Sequence, residues 1–339
     1  MKFGVAHGNA PAARSLEIMR AAEDAGFHQF WMFDSHVIWQ DCYSVLGWLI
    51  GLSRSETMEF GTLVTNPVSR DPTVTASAFA TLAEITGNRV ICGIGRGDSV
   101  VRVLKRKPAR LAEVEHTAVV VRTLTSGRKM TIDGIDVEMD WAAAKVPVYI
   151  AGYGPRALTL AGRIGDGVVF QVADPYFIEW GLQFVREGAE EAGRDPSEIV
   201  VHCSAATYVS SDLDEARERT RWFPALVGNH IADVLRHHDA QDLPDVLFDY
   251  VHDRPEYDYR QHGHPGADHS KYVPDAICDR FCVLGSEEEC EAKLRELAAL
   301  GVSEFNIYPY IPNLLETIDL YGRTVAPRIN AAAPVKPAR

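Results

Sequence analysis

Short apolar runs alternate with stretches of helical spacing along almost the whole chain. The apolar runs Lys2–Ala6, His28–Phe33, Phe60–Val64, Arg89–Ile94, Val146–Ala151, Gly167–Val172, Ile199–Val209 and Glu304–Tyr308 read as buried strands. Between and after them, apolar residues recur at three- and four-residue intervals. This predicts helices over Ala12–Ala25, Tyr43–Ser53, Thr73–Ile85, Leu111–Leu124, Pro155–Ile164, Tyr176–Ala192, Asp212–Val227, Ser286–Leu300 and Leu314–Val325. Ser286 and Glu289 stand at capping-box spacing, and Glu287–Glu289 place acid where the helix dipole favours it. Within Met130–Met139, Asp133-Gly134 between alternating segments marks a hairpin.

Strands that alternate with helices pair in parallel through crossover connections, so the class is α/β. About eight such units in one chain predict a single (β/α)8 TIM barrel over residues 1–339, with insertions. The competing arrangement is a doubly wound open sheet. It is disfavoured because Gly93-Ile94-Gly95-Arg96-Gly97 lacks dinucleotide-fingerprint spacing and no glycine-rich turn follows the first strand. The rhythm breaks in one place. The largest insertion, near residues 230–275, is rich in His, Asp, Tyr and Pro, too polar for core and too aromatic for a plain linker. It reads as a lid or a dimer contact.

Composition narrows the partners. Hydrophobic residues make up 46% and charged residues 24% of the 339, the balance of a globular chain able to bury a large core. A net charge of −13 argues against nucleic acid and against an anionic membrane surface. No apolar run is long enough to span a bilayer, and the N-terminus has no signal-peptide core. The expectation is therefore a cytoplasmic protein with reduced thiols. Cys278-Asp-Arg-Phe-Cys282 has the wrong spacing for a redox pair and reads as two half-buried thiols beside a strand.

In a barrel the chemistry gathers at the carboxyl ends of the strands. The first strand ends in His7, the second in Asp34, Ser35 and His36, the third in Thr65 and Asn66. The fourth ends in Gly97, Asp98 and Ser99, the fifth in Gly152-Tyr153-Gly154, the sixth in Gln171. No strand carries a histidine pair at metal-ligand spacing, so no metal site is assigned. Gly152-Tyr153-Gly154-Pro155-Arg156 joins a strand to a helix. Its backbone amides suit an anion, though a tight turn without a ligand has the same pattern.

Three segments carry a family likeness: GTLVTNPVSRDP, ATLAEITGNRVICGIGRGDS and VPVYIAGYGPRALTLAGRIGDGVV. They resemble the bacterial-luciferase-like superfamily of flavin- and deazaflavin-dependent oxidoreductases. The nearest likeness is to the coenzyme F420-dependent branch, which includes methylenetetrahydromethanopterin reductase. The resemblance covers most of residues 1–210 and resumes near Asp279, whereas the 230–275 insertion is not general to the superfamily.

The resemblance implies a TIM barrel, usually a homodimer, that binds F420. The cofactor ring would rest on a bulge, Leu63-Val64-Thr65-Asn66, with a cis peptide between Leu63 and Val64. Gly152, Tyr153 and Gly154 would hold its phosphate. Ser35, Gly97, Asp98 and Gln171 would border the ring or substrate, together with Trp39. Where F420 enzymes usually have Asp-His, this chain has Asp34-Ser35-His36. Either Ser35 takes the histidine's place, or His36 reaches it. The implied reaction is hydride transfer between F420 and a small organic substrate, with His36 or Asp34 handling the proton and Asp98 beside them. Arg96, Arg102, Lys105 and Arg106 would serve the cofactor's anionic tail or form a solvated face. An FMN-dependent monooxygenase on the same barrel is the nearest alternative. More distant ones are a metal hydrolase using His252, His262, His264 and His269, and a binding protein without turnover.

Overall fold

Eight parallel strands close on themselves. The computed structural model describes residues 1–8, 11–235, 249–250, 257, 259–261, 266–308 and 310–331. Its strands are β1 (Lys2–His7), β2 (Gln29–Met32), β3 (Glu59–Thr62), β4 (Val90–Ile94), β5 (Met130–Ile132), β6 (Ile135–Val137), β7 (Val148–Ala151), β8 (Gly167–Phe170), β9 (Val200–Val209), β10 (Val283–Gly285) and β11 (Glu304–Tyr308). Parallel pairing runs β11–β1–β2–β3–β4–β7–β8–β9, and β9 returns to β11. This closed ring is a (β/α)8 barrel, and the eight apolar runs read from the sequence are its staves. β10 adds to the far end of β9, and β5 and β6 form the antiparallel hairpin, turning at Asp133 and Gly134 in left-handed backbone.

The helices around the ring include α1 (Ala12–Asp24), α2 (Cys42–Leu52), α3 (Pro72–Thr86), α4 (Ser99–Val103), α5 (Leu111–Thr125), α6 (Pro155–Ile164), α7 (Pro175–Glu191), α8 (Leu213–Thr220) and α9 (Trp222–Leu235). Local chemistry sets their ends. Asp71 caps α3 ahead of Pro72, Asp174 caps α7, and Ser286 with Glu289 closes the expected capping box of the helix Glu287–Ala299. The single helix expected over Asp212–Val227 is two. Pro224 has no N–H to bond back to Thr220, so the chain restarts as α9, which then runs on through His230. Helix α9 thereby carries ordered structure into what the sequence marked as the start of the insertion.

The barrel interior is packed rather than hollow. Trp31, Tyr149 and His202 come from strands that are not neighbours, yet their rings meet at 4.8–6.3 Å. Glycines make room for them. A Cβ at Gly61 would lie 2.5 Å from the Trp31 ring, and one at Gly167 would lie 2.7 Å from the Tyr149 ring. His202 is held by Glu304 (3.2 Å), Ser204 (2.9 Å) and Asn306 (2.8 Å), so the buried polar layer is mutually bonded. All six cysteines are free and buried. Cys278 and Cys282 are therefore not the half-buried pair the sequence suggested. Cys278 faces inward from the helix Asp275–Phe281, where burial pushes its thiol up to about 12. Among the described residues no helix is long and apolar enough to cross a membrane.

Candidate active site

A cavity of about 880 Å³ opens at the carboxyl ends of the strands. Its walls come from segments far apart in sequence: Phe33–Ser35 after β2, Leu63 and Val64 after β3, Gly95–Asp98 after β4, Gly152–Gly154 after β7, and Gln171 after β8. Tyr308 and Tyr310 close it from β11, and Leu226, His230 and Val234 roof it from α9.

The peptide between Leu63 and Val64 is cis, at the bond the family likeness implied. Both side chains line the cavity. Thr65 turns away into the wall. Its amide bonds to the Gly93 carbonyl (2.9 Å) and its hydroxyl donates to Asp34 (2.8 Å). Asn66 lines the cavity while its Oδ1 accepts from the amides of Val68 and Ser69, which fixes the turn. Gly97 holds φ +81, and a Cβ there would lie 2.7 Å from Val101.

Asp34 is the most constrained of the sequence candidates. Its side chain is inaccessible to solvent. Arg70 grips it with two hydrogen bonds, Nε to Oδ2 at 2.7 Å and Nη2 to Oδ1 at 3.0 Å. Arg70 also reaches Asp41 at 2.5 Å and lies over the Tyr43 ring at 4.4 Å. A carboxylate bonded on both oxygens is a structural anchor rather than a free acid.

The next residues divide at a turn. The amides of Ile38 and Trp39 both bond to the Ser35 carbonyl at 2.9 Å, so the chain reverses between them. Ser35 and Trp39 consequently face the cavity, while His36 is exposed at the turn's tip and does not line it. Ser35, bonded to Ser99 at 2.9 Å, stands where the likeness leads one to expect histidine. The proton-handling role read for His36 from the sequence therefore does not fit its position.

Gly152 and Gly154 lead directly into α6, whose first residue is Pro155. Both glycines line the cavity beside Tyr153 and Arg156. A Cβ at Gly152 would lie 2.6 Å from that of Ala157, so the loop is drawn tight against the helix start. The Tyr153 hydroxyl donates to Gln171 Oε1 (2.8 Å), and Gln171 Nε2 donates to the Tyr308 hydroxyl. Burial pushes the phenols of Tyr153, Tyr308 and Tyr310 up, so they remain protonated. Asp98 sits ahead of α4. Its Oδ1 accepts from Arg102 (3.2 Å) and from Tyr259 (3.1 Å).

Several site residues escaped the sequence reading. Tyr308 ends the last strand and Tyr310 follows it, and the strand-end rule applied to Glu304–Tyr308 would have found them. Leu226, His230 and Val234 form a stripe at four-residue spacing on α9, a signal hidden by ending that helix at Val227. Of the histidines considered as metal ligands, His252, His262 and His264 lie outside the described residues, and His269 packs on Tyr257 at 4.1 Å. Among the described residues no group of three or more His, Cys, Asp or Glu is placed to hold a metal.

The structure is a closed (β/α)8 barrel with an aromatic cavity at its carboxyl face and a glycine-lined helix start at the cavity's edge. The chain belongs to the luciferase-like monooxygenase family, whose model matches residues 1–304. It is 29% identical over 336 residues to the 5,10-methylenetetrahydromethanopterin reductase of Methanolobus tindarius, covering 96% of this chain and 99% of that one. It is 30% identical over 332 residues to the F420-dependent glucose-6-phosphate dehydrogenase of Nakamurella multipartita, covering 92% and 91%. Among solved structures, the coenzyme F420-dependent tetrahydromethanopterin reductase of Methanopyrus kandleri matches with a TM-score of 0.78 at 23% identity, over 97% of this chain and 99% of that one.

Proposed function

We propose that the protein is an F420-dependent oxidoreductase that exchanges a hydride between the deazaflavin and a small organic substrate. The observation that carries this reading is the make-up of the cavity, which matches the parts of that cofactor. Gly95 and Gly97 line the cavity beside Leu63 and Val64, where a Cβ at Gly95 would crowd Val64 at 3.0 Å. The cavity of about 880 Å³ has the volume for a flat ring. The amides of Gly152–Gly154 at the start of α6 suit a phosphate. Arg96, Arg102, Arg110 and Arg156 line the cavity of a chain that is otherwise strongly acidic, and they suit an anionic tail. The longer anionic tail of F420 makes more use of these arginines than the short FMN phosphate. The relatives that bear F420 in their names support the same choice.

When bound, the deazaflavin supplies a two-electron hydride donor or acceptor. The chain's own contribution is position and exclusion of water. Phe33 stacks on Tyr308 (4.9 Å) and Trp39 on Tyr310 (6.3 Å), giving an aromatic wall for the substrate. Gln171, held from both sides by Tyr153 and Tyr308, presents a fixed amide. Asp34, Arg70 and Thr65 brace the β2 and β3 ends, so the bulge cannot drift from the cavity wall. The reading is tested by selective binding of F420 over FMN.

A homodimer belongs to the same proposal. Helices α2, α3 and α5 leave Trp48, Leu52, Val74, Ile85 and Val119 exposed, an apolar set suited to a self-complementary contact. Sedimentation equilibrium is expected to give twice the 37.5 kDa chain mass, and the mass of one chain would count against the dimer.

A further inference from the structure

We propose that His230 and Asp98 are the proton-holding pair of this site, with His230 Nε2 the atom that gives or takes the substrate's proton. The inference rests on the hydride-transfer reading above. Exchange of a hydride at a carbonyl or alcohol carbon leaves one proton to be settled at the neighbouring oxygen. In the oxidative direction a bound deazaflavin would take the substrate's hydride as the two-electron acceptor, and His230 would take the O–H proton. In the reductive direction the C–H and O–H bonds form again. Some cavity group must therefore change protonation state within each turnover.

The described residues leave few candidates. Asp34 is bonded on both oxygens by Arg70 and once more by Thr65. Tyr153, Tyr308 and Tyr310 are buried phenols that keep their protons. The cavity arginines do not titrate in the working range. His36 is off the cavity. What remains is Asp98 and His230, and the two face each other. His230 Nε2 stands 3.7 Å from Asp98 Oδ2. That oxygen is buried and accepts no hydrogen bond among the described residues, although Oδ1 is bonded by Arg102 and Tyr259. The His230 ring lies flat on Tyr153, 4.6 Å between centroids at 6°, which aligns it with the residue that holds Gln171. Both side chains are about a fifth exposed, at 22% and 21%, so a proton taken from the cavity can pass to water. Asp34, fully sealed, has no such exit.

Among the described residues, charged groups approach the pair from several elements, and Arg96, Arg110 and Arg156 line the same cavity. Asp98 stands just ahead of α4, Arg102 comes from α4, Tyr153 from the β7–α6 loop, and Tyr259 from the turn Tyr259–Gln261. The segment Asp268–Tyr272, which packs against α9, has Asp268 paired with Lys271 at 2.7 Å and His269 against Tyr257. The helix Asp275–Phe281, also against α9, has Asp275 paired with Arg221 at 2.7 Å and Asp279 with Arg217 at 2.7 Å. The pair joins the β4–α4 connection to helix α9, so the helix that roofs the cavity completes the chemistry of the barrel.

The test compares wild type, His230→Asn and Asp98→Asn. First, the His230 ring nitrogen resonances are followed by NMR in the protein without ligand. The Nε2 resonance is expected to move in Asp98→Asn more than Nδ1, because the carboxylate oxygen 3.7 Å from Nε2 is replaced. An Nε2 resonance unmoved by Asp98→Asn overturns the pair. Second, F420 binding is followed by fluorescence. His230→Asn should hold its affinity within about threefold, since the residue acts on the substrate's proton. Loss of F420 binding in wild type itself would instead sink the cofactor reading while the NMR result still decides the pair. Third, with reduced F420 and a panel of small ketones, kcat of His230→Asn is expected to fall by about a hundredfold or more with KM little changed. The acid–base dependence of kcat should flatten as well. Full activity with an unchanged pH profile in His230→Asn overturns the proposal.

Discussion

Replacing Arg70 with methionine is expected to lower the unfolding free energy by about 3–5 kcal/mol, the cost of stranding a buried carboxylate. The Asp34 side chain has no solvent access, and Arg70, itself 18% exposed, provides both of its charged hydrogen bonds. Without the guanidinium, the Thr65 hydroxyl and the Cys42 thiol remain among the described residues, and such neutral donors cannot offset desolvation of an anion. Asp34→Asn should cost less, because it removes the charge and still leaves an acceptor for Thr65. Arg70 would in that case retain Asp41 at 2.5 Å. The double variant Arg70→Met/Asp34→Leu should recover much of the loss, since both halves of the buried pair leave together. Urea unfolding of the four proteins checks this. Arg70→Met within about 1 kcal/mol of wild type would show that the pair is not the brace we take it to be.

The second large effect is on acid stability and comes from one side chain. His7 ends β1 and is buried. Neither ring nitrogen has a hydrogen-bond partner among the described residues. Burial, with a smaller push from the charge of Arg14, lowers its pKa from 6.5 to about 4. The folded chain therefore resists a proton that the unfolded chain accepts. The stability linked to His7 is fully present above pH 6.5 and is lost as pH falls toward 4. At about 1.4 kcal/mol per unit, the loss approaches about 3 kcal/mol. His7→Leu should flatten the profile by that amount. Carboxylates also titrate in this range, so the diagnostic quantity is the difference between the two proteins at pH 7 and pH 4. Parallel profiles would contradict the assignment.

The fold was legible because the strands of a closed parallel barrel are buried on both faces and stand out as continuous apolar runs. Every residue of β2, β4 and β8 is buried, and each lies within its expected run. The cis peptide at Leu63–Val64 could be placed only through the family likeness, since nothing in the side chains of that segment encodes it. The site was less legible for geometric reasons. Asp34, Ser35 and His36 are consecutive, and only the bonds of Ile38 and Trp39 to the Ser35 carbonyl decide which of them faces inward. Arg70 lies four residues past Asn66 in what reads as loop, and its bond to Asp34 spans 36 residues. His230 was read as the first residue of a polar insertion. It is on the helix that roofs the cavity, because the proline that splits the expected helix restarts it instead of ending it.

The claim on which the rest depends is that this cavity holds F420. Its most direct test is titration of the purified protein with F420 and, separately, with FMN, following tryptophan fluorescence. The chain has six tryptophans, and Trp39 lines the cavity. The account predicts saturable quenching by F420, with FMN bound at least about tenfold more weakly, a difference of about 1.4 kcal/mol. Tight binding of FMN with weak or no binding of F420 would contradict it.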